Sequence, residues 1–366
     1  MPSPVRPGPP PGAGGMKGLV LAGGSGTRLR PLTHSMPKQL IPLANRPVLE
    51  HVLANVRALG VTEVGIVVGD WAEQIAAVIG DGARLGLRVT YVRQSRPLGL
   101  AHCVRLARPF LGEDDFVMYL GDDVLADGVG NAAADFRRDR PDAQVVVQKV
   151  ADPSRFGIVE LDVDGAVRGL AEKPAEPRGD LALVGVYFFT AAVHAAVDRV
   201  RPGPRGELEI TDAIQWLVEH GHRVGVSRYD GFWRDAGRPE DLLECNRRLL
   251  AGLALRVAGT VDAESRLTGA VVVEAGARVL RSRIDGPVVV GAGSRIEDSR
   301  LGPNTAVGRD CRVVSARLAD AIVLDGASIA SARGLAGSLI GRHAVVEGVE
   351  GRRLLVGDHA RIEPAA

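Results

Sequence analysis

Cysteine, lysine, aromatic residues and long apolar runs are all scarce in this chain of 366 residues. The three cysteines, Cys103, Cys245 and Cys311, lie far apart and form no Cys-x-x-Cys pair. Their spacing argues against a disulfide framework or a zinc site and fits a reducing, cytoplasmic setting. No apolar run reaches the ~18 residues that span a membrane, so we expect no membrane partner. The formal net charge of +1 also predicts no nucleic acid partner.

The length predicts more than one domain, because a single hydrophobic core rarely grows beyond ~250–300 residues. Residues 1–15 are rich in proline and glycine, and we expect a disordered leader there. The changes in pattern along the chain predict a first domain over residues 16–240, a connecting helix over residues 241–255 and a second domain over residues 256–366.

Residues 16–240 alternate short apolar runs with amphipathic segments. The apolar runs predict buried strands at Gly18–Ala22, Val64–Val68, Val89–Val92, Phe116–Leu120 and Ala143–Val147. Amphipathic helices are predicted at Pro47–Leu59 and Ala72–Ile79. Repeated strand–helix units predict an α/β domain with a doubly wound, mostly parallel, Rossmann-like sheet, in which ligands bind at the carboxyl ends of the strands.

After residue 255, aliphatic residues recur every five or six positions, and glycine follows several of them. The recurring residues are Val290, Ile296, Leu301, Val307, Val313 and Leu318. This period is typical of the hexapeptide repeat of a left-handed parallel β-helix. An ordinary β-sandwich is the alternative, but it would not keep the period. We expect the flat sides of the stacked coils to form a homo-oligomer.

A glycine-rich run follows the first predicted strand. Residues 21–29 read Leu-Ala-Gly-Gly-Ser-Gly-Thr-Arg-Leu, and residues 37–40 read Pro-Lys-Gln-Leu. Glycines let the backbone approach a bulky anion, and Arg28 and Lys38 would supply the countercharge. The spacing excludes a Walker A loop, and Leu29 stands where the dinucleotide fingerprint needs a third glycine. The glycines alone would fit any tight turn, but with both cations the run predicts binding of a nucleotide.

Two aspartates stand where a divalent metal could be held. Asp122 follows the apolar run that ends at Leu120, and Asp235 lies in a glycine-flanked turn. Mg²⁺ prefers a few carboxylates together with phosphate oxygens. Taken singly, each aspartate could instead be structural, Asp122 as a helix cap and Asp235 as a turn residue.

Lysine is used at only four positions, Lys17, Lys38, Lys149 and Lys173, among 45 basic residues. An ammonium is a compact point charge that can approach a phosphate oxygen without the planar geometry of a guanidinium. Lys38 and Lys173 fall inside motif-like runs, so both are candidates for phosphate contacts.

Nine short segments occur in the order and spacing of one known family. They read GGSGTRL, PKQL, GLAH, LGD, FGIVE, EKP, VGVYF, GELEITDAIQ and WRDAG. On these segments, residues 16–245 resemble the glucose-1-phosphate thymidylyltransferases, which are sugar-1-phosphate nucleotidylyltransferases, and the hexapeptide tail resembles their long form. The resemblance implies that dTTP and α-D-glucose 1-phosphate are joined to dTDP-glucose with release of pyrophosphate, by Mg²⁺-assisted in-line attack, in deoxysugar and antibiotic pathways.

The resemblance also implies roles for single residues. It places the nucleotide on Leu21, Gly23, Gly24, Ser25, Gly26, Thr27 and Gln39, with the thymine at Gln94 and Gly99. It places the sugar at Gly157, Glu172 and Val184, and its phosphate at Lys173. Asp122 and Asp235 would hold Mg²⁺. The catalytic residues would be Arg28, Lys38 and Lys173, and no side chain acts as a nucleophile.

Two residues depart from the family pattern: Asp123 stands where asparagine is usual, and His102 stands where alanine or glutamine is common. Both leave base and sugar preference open, so UTP or another hexose 1-phosphate is an alternative. A catalytically silent regulatory subunit is a second alternative, although such a subunit should have lost its phosphate cations. An acyltransferase in the tail would need a positioned histidine, and His343 and His359 lack a supporting motif.

Overall fold

The structure, a computed structural model, describes residues 15–364 and divides into two compact units. The first unit contains the described residues up to Gly24 together with Leu49–Trp233. The second contains Ser25–Val48 together with the chain from Arg234 onward. The chain therefore leaves the first unit after Gly24 and returns to it at Leu49. The predicted leader lies, apart from Gly15, outside the described residues.

Strands and helices alternate up to about residue 139, as the sequence predicts, but four strands then follow one another within residues 143–189. In chain order, strands β1 to β13 are Lys17–Ala22, Pro42–Leu43, Arg46–Pro47, Glu63–Val68, Arg88–Arg93, Phe116–Leu120, Asp123–Leu125, Ala143–Lys149, Gly157–Leu161, Val167–Glu172, Leu181–Phe189, Val224–Arg228 and Trp233–Asp235. Helices α1 to α7 are Val48–Ala58, Ala72–Ile79, Leu100–Leu111, Gly130–Asp139, Val193–Val197, Ile210–Glu219 and Pro239–Leu250. Short 3₁₀ turns lie at Thr27–Leu29, Leu32–His34, Lys38–Leu40, Ala83–Leu85 and Pro153–Arg155.

The sheet of the first unit has a parallel centre and antiparallel additions. Its strands follow the order β10-β9-β11-β6-β1-β4-β5, and β8 and β12 extend it from β11. Strands β6, β1, β4 and β5 are parallel neighbours. Strand β11 runs antiparallel to β6, and β9 and β10 form an antiparallel pair. The parallel centre confirms the predicted Rossmann-like sheet, and its buried strands have the near-continuous apolar sequences that this position requires.

Strands β1 and β6 carry two predicted site segments to the same edge of this sheet. Leu21 of β1 is in register with Leu120 of β6, and the N–H of Gly121 donates to the carbonyl of Leu21 at 2.9 Å. Because the two strands are parallel, Gly23 and Asp122 follow them at the same carboxyl edge. Ligands of open α/β sheets bind at this edge.

Helix α3 begins after Gly99, which caps it with a φ of 98°. It buries Ala101, Val104, Ala107 and Leu111, a three- and four-residue spacing that forms one apolar face against the sheet. No helix in the described part of the chain combines the length and the apolar character needed to span a membrane.

The second unit contains the β-helix that the repeat predicts. Its strands β14 to β30 are Arg256–Val257, Thr260–Val261, Arg266–Thr268, Val271–Val273, Arg278–Leu280, Arg283–Asp285, Val288–Val290, Arg295–Glu297, Arg300–Leu301, Thr305–Val307, Arg312–Val314, Arg317–Val323, Ser328–Ala330, Leu335–Ile340, Val345–Glu347, Leu355–Val356 and Arg361–Ile362. Successive coils pair in parallel, as Val279 does with Ile296 and Ile296 with Val313. These side chains are fully buried, so the predicted left-handed parallel β-helix is confirmed in its inward-facing aliphatic ladder.

The segment Ser25–Val48 is anchored to the β-helix within this unit. The hydroxyl of Ser35 donates to Asp358 at 2.7 Å, and a guanidinium nitrogen of Arg342 donates to the carbonyl of Ser35 at 3.2 Å. Asp358 is only 2% exposed and lies 2.6 Å from Arg342. Further along the segment, the amide of Asn45 donates to the carbonyl of Val307 at 2.7 Å. The last coils of the β-helix therefore hold the segment that carries Arg28 and Lys38.

We predict that Arg342→Ala lowers the free energy of unfolding by about 2 kcal/mol, because it leaves the buried Asp358 carboxylate without its cation. The value lies below the ~3–5 kcal/mol of a fully buried pair because Arg342 is about one-third exposed. Urea denaturation measures it, and limited proteolysis should cut the 25–48 segment faster. Arg309→Ala is the matched control, since Arg309 and Asp325 pair at an exposed corner and should contribute less than ~1 kcal/mol. Equal losses in both variants would contradict the anchoring role of Asp358.

Candidate active site

The loop after β1 approaches the end of β5 in the first unit. A Cβ atom at Gly23 would stand 3.3 Å from Oε1 of Gln94, so the absence of a side chain lets the amide oxygen come close to the loop. Gln94 follows the last residue of β5 and is 8% exposed. The structure therefore brings together two residues that the resemblance assigns to the nucleotide.

The amide group of Gln94 has a defined orientation. Its Nε2 donates to the carbonyl of Gly99 at 3.3 Å and lies 3.0 Å from Nδ1 of His102. Burial lowers the pKa of His102, and the nearby Arg105 guanidinium lowers it further, which favours the neutral ring. A neutral Nδ1 can accept the amide hydrogen, which leaves Oε1 of Gln94 on the side of Gly23.

Gly99 lets the turn beside Gln94 pack against Leu208, which lies in the segment GELEITDAIQ. Its φ of 98° favours glycine, and a Cβ there would stand 2.4 Å from the carbonyl oxygen of Leu208. The N–H of Leu208 donates to Leu98 at 2.8 Å, and the N–H of Ala101 donates to Leu208 at 3.0 Å. The segment Glu207–Asp212 is therefore paired with the turn beside Gln94.

A second cluster of the first unit surrounds Glu172, the last residue of β10. Oε1 of Glu172 lies 3.2 Å from Nζ of Lys173 and 3.2 Å from a guanidinium nitrogen of Arg205. Arg205 also contacts Glu209 at 2.6 Å. Lys173 itself has a φ of 44°, in the left-handed region that a residue with a side chain rarely adopts. Such backbone strain is concentrated at functional sites, which supports a site here.

The same cluster contains the residues that the resemblance assigns to the sugar. A Cβ at Gly157 would meet Leu183 at 2.8 Å, Glu172 at 3.0 Å and Thr211 at 3.1 Å. The hydroxyl of Thr211 is buried and has no hydrogen-bond partner among residues 15–364. Val184, the other predicted sugar residue, is fully buried within β11.

The charges around Glu172 favour a polar ligand. Burial raises the pKa of Asp212, and the carboxylates of Glu209 and Glu172 raise it further. Burial alone would lower the pKa of Arg205, but its hydrogen bond to Glu209 and the neighbouring carboxylates raise it on balance. Arg205 therefore stays a cation, and together with Lys173 it offers two partly exposed positive groups to an anion.

The second unit positions the remaining predicted residues. Gly26 has a φ of 64° and begins the 3₁₀ turn that contains Arg28, and the hydroxyl of Thr33 donates to the Gly26 carbonyl at 2.7 Å. The stem of Lys38 packs against Gly26, where a Cβ would stand 3.1 Å away. A guanidinium nitrogen of Arg28 lies 3.5 Å from Oδ2 of Asp235, and both side chains are more than one-third exposed. Arg28 and Lys38 thus lie on neighbouring turns, whereas Asp235 is the last residue of strand β13 and not the turn residue that the sequence predicts.

The remaining predicted nucleotide residues have differing environments. Gln39 is fully buried, and neither of its amide atoms has a hydrogen-bond partner in the part of the chain that the structure describes. Leu21 is buried in β1. Gly24, Ser25 and Thr27 are at least partly exposed on the loop.

The carboxylates of Asp122 and Asp235 suit a Mg²⁺ ion that takes its other ligands from phosphates and water, rather than a metal ion that is bound by protein side chains alone. Among the described residues, no group of three or more histidine, cysteine, aspartate and glutamate side chains could hold a metal ion. Mg²⁺ does not need such a group, since it binds one or two carboxylates and takes its other ligands from phosphates and water. Asp122, partly exposed at a strand end, and Asp235, partly exposed beside Arg28, meet this requirement.

Sequence reasoning missed Arg205 and Glu209 and gave Thr211 only a structural role. Arg205 contacts Glu172 across 33 residues of sequence, a separation that no periodic pattern marks. Glu209 and Thr211 lie in the segment GELEITD, whose acidic residues directly before a helix could have drawn attention.

Comparisons with known proteins relate the chain to one family. Residues 17–252 match the family model described as nucleotidyl transferase. A glucose-1-phosphate thymidylyltransferase of Streptomyces griseus is 51% identical over 352 residues, 95% of this chain and 99% of that protein. One of Streptomyces antibioticus is 50% identical over 353 residues, with the same coverage. A crystal structure from Bacillus anthracis, described as a candidate glucose-1-phosphate thymidylyltransferase in complex with sucrose, is 31% identical with a TM-score of 0.60 and covers 64% of this chain and 95% of that one.

We predict that Gly157→Ala destabilises the protein by about 1–3 kcal/mol, because the new methyl group overlaps Leu183, Glu172 and Thr211. Gly130→Ala is the control. Nothing lies within 4 Å of its Cβ position at the start of α4, so this change should be neutral or stabilising. Thermal unfolding of both variants measures the difference, and a stable Gly157→Ala protein would show that the space is larger than the contacts indicate.

Proposed function

Because this chain belongs to the nucleotidyl transferase family, we propose that it joins dTTP and α-D-glucose 1-phosphate to give dTDP-glucose and pyrophosphate. The observation that carries the proposal is the similarity to two glucose-1-phosphate thymidylyltransferases over 95% of the chain, β-helix included. An oxygen of the sugar phosphate forms a bond to the α-phosphorus. The bond from that phosphorus to the bridging oxygen breaks, and this oxygen leaves with pyrophosphate.

The residues of this chain act mainly by binding and neutralising phosphates, because both reactants are anions. We assign the loop from Gly23 to Thr27, with Gln39, to the triphosphate. In this assignment Arg28 and Lys38 stabilise the charge that develops on the departing pyrophosphate. Leu21 supports the loop from β1.

The sugar phosphate is assigned to the cluster around Glu172. Lys173 holds the phosphate as a point charge, and Arg205 is added to it as a second cation on the grounds of its contact with Glu172. Glu172, Gly157 and Val184 are assigned to the sugar ring. Glu172 also restrains both cations before the substrate arrives.

We assign a divalent metal, Mg²⁺, to Asp122 and Asp235. When bound, the ion would neutralise phosphate charge and help to orient the reacting groups. Arg28 contacts Asp235, so this carboxylate is paired with a cation that can also turn to a phosphate.

The cellular location, the oligomeric state and the pathway of the enzyme are also proposals. The three cysteines are buried and none forms a disulfide among the described residues, which supports a reducing, cytoplasmic location. The stacked flat sides of the β-helix support a homo-oligomer, which light scattering would test. The product suits deoxysugar pathways, including those for antibiotics.

We predict that dTTP with glucose 1-phosphate gives the highest kcat/KM in a pyrophosphate-release assay over a matrix of nucleoside triphosphates and sugar 1-phosphates. EDTA should abolish turnover, and added Mg²⁺ should restore it. Thymine and uracil differ by one methyl group, so the preference over UTP should be modest, at about fivefold for ~1 kcal/mol of burial. A tenfold preference for UTP would overturn the base assignment, and no turnover with any pair would favour the silent regulatory subunit.

We predict that Lys173→Ala lowers kcat/KM by about 10²–10³, because it removes a charged donor from the sugar phosphate. Lys149→Ala is the matched control, since Lys149 is 78% exposed and pairs only with a surface aspartate, Asp180. Steady-state kinetics with both substrates measures the effect, and circular dichroism checks the fold. Similar activity in the two variants would remove Lys173 from the phosphate site.

A further inference from the structure

The amide of Gln94 uses both of its hydrogens on protein acceptors. One reaches the carbonyl of Gly99 at 3.3 Å and the other reaches Nδ1 of His102 at 3.0 Å. The amide oxygen Oε1 instead lies beside Gly23, 3.3 Å from its Cβ position. Gln94 is 8% exposed, so a turned amide could not exchange these partners freely with water. At this site Gln94 therefore presents an acceptor and not a donor.

The contact with Gln94 also indicates which ring nitrogen of His102 carries the proton. An amide nitrogen can only donate, so Nδ1 of His102 must accept, and the ring proton lies on Nε2. His102 is half-buried on the first turn of α3, a position that restricts its ring. If the Gln94 amide turned over, its oxygen would face the carbonyl oxygen of Gly99, and it could keep a hydrogen bond with His102 only if the ring proton moved from Nε2 to Nδ1.

We propose that His102 is a positioning residue for base selection, which holds Oε1 of Gln94 toward the nucleotide loop as an acceptor for a base with a ring N–H. The proposal rests on the proposed function, since it assumes that the base of the nucleotide lies at Gln94. It gives a role to a residue that departs from the family pattern.

The hydrogen-bonding groups of the bases determine which nucleotide this acceptor selects. Thymine and uracil carry a hydrogen on N3 and can donate to Oε1. Cytosine has a bare N3, which would face the amide oxygen acceptor to acceptor. A site whose buried polar group is left unpaired rejects the wrong ligand strongly. With its amide fixed, Gln94 therefore discriminates against cytosine, whereas an amide that is free to turn could donate to N3 of cytosine.

His102 provides the stronger of the two restraints on the amide. Its contact with Nε2 is 0.3 Å shorter than that of the Gly99 carbonyl, from 3.3 Å and 3.0 Å. The Gly99 carbonyl belongs to the backbone and remains in every variant. Substitution at position 102 therefore isolates the contribution of the histidine.

The test compares kcat/KM for dTTP and dCTP in His102→Leu and His102→Asn. Leucine fills the half-buried position but accepts no hydrogen bond, so the dTTP-to-dCTP ratio should fall by about tenfold or more, which corresponds to about 1.4 kcal/mol. Asparagine places an amide oxygen near the position of Nδ1 and should keep the ratio within about twofold of wild type. With dTTP, the leucine variant should raise KM more than it lowers kcat.

A folded His102→Leu enzyme that keeps the wild-type ratio would overturn the proposal, because the other contacts of the amide, with the Gly99 carbonyl and the Cys103 thiol, would then be enough to fix it. A ratio that falls equally in the asparagine variant would also overturn it. If the leucine variant does not fold, His102→Ala replaces it with the same expected loss. A wild-type enzyme without dTTP-dependent pyrophosphate release would instead count against the proposed function.

Discussion

Repulsion between phosphate groups is the physical constraint that the candidate site has to meet. Two anions must approach within bonding distance, and the cations that permit this must be in place before either anion arrives. The cations that we propose for this role each contact a carboxylate: Lys173 and Arg205 contact Glu172, and Arg28 contacts Asp235. Partly exposed ion pairs are weak, at ~0–1 kcal/mol, so a phosphate can take the cation over at little cost. The carboxylates thus orient the cations without holding them permanently.

The turn beside Gln94 and the cluster around Glu172 are joined by one short stretch of backbone pairing. Leu208 bonds to Leu98 and Ala101 on one side, and on its other side the chain continues into Glu209, which holds Arg205. The turn that holds the Gln94 amide and the segment that holds Arg205 are therefore connected through Leu208. Packing at Gly99 makes this possible, because a side chain there would collide with the backbone of Leu208.

Local sequence patterns predict the parts of this molecule that depend on local order. Apolar runs locate β1 and β6, and the five- to six-residue period locates the β-helix, because burial and coil stacking act on every repeat. Contacts between distant residues leave no such pattern. Arg205 reaches Glu172 over 33 residues, and Ser35 reaches Asp358 over 323 residues. The resemblance supplied most candidate residues one at a time, but it did not supply the ion pairs that restrain them.

The hydrogen bonds that anchor residues 25–48 on the β-helix connect a segment early in the sequence to a segment near its C-terminal part. A chain shortened after α7 would lose Asp358 and Arg342, and with them the hydrogen bonds of Ser35. Asn45 would lose the carbonyl of Val307 in the same way. Recombination that exchanged only the C-terminal half would therefore separate a stretch of chain from the scaffold that fits it. We therefore expect residues 25–48 and the β-helix to be exchanged together in recombination and not separately.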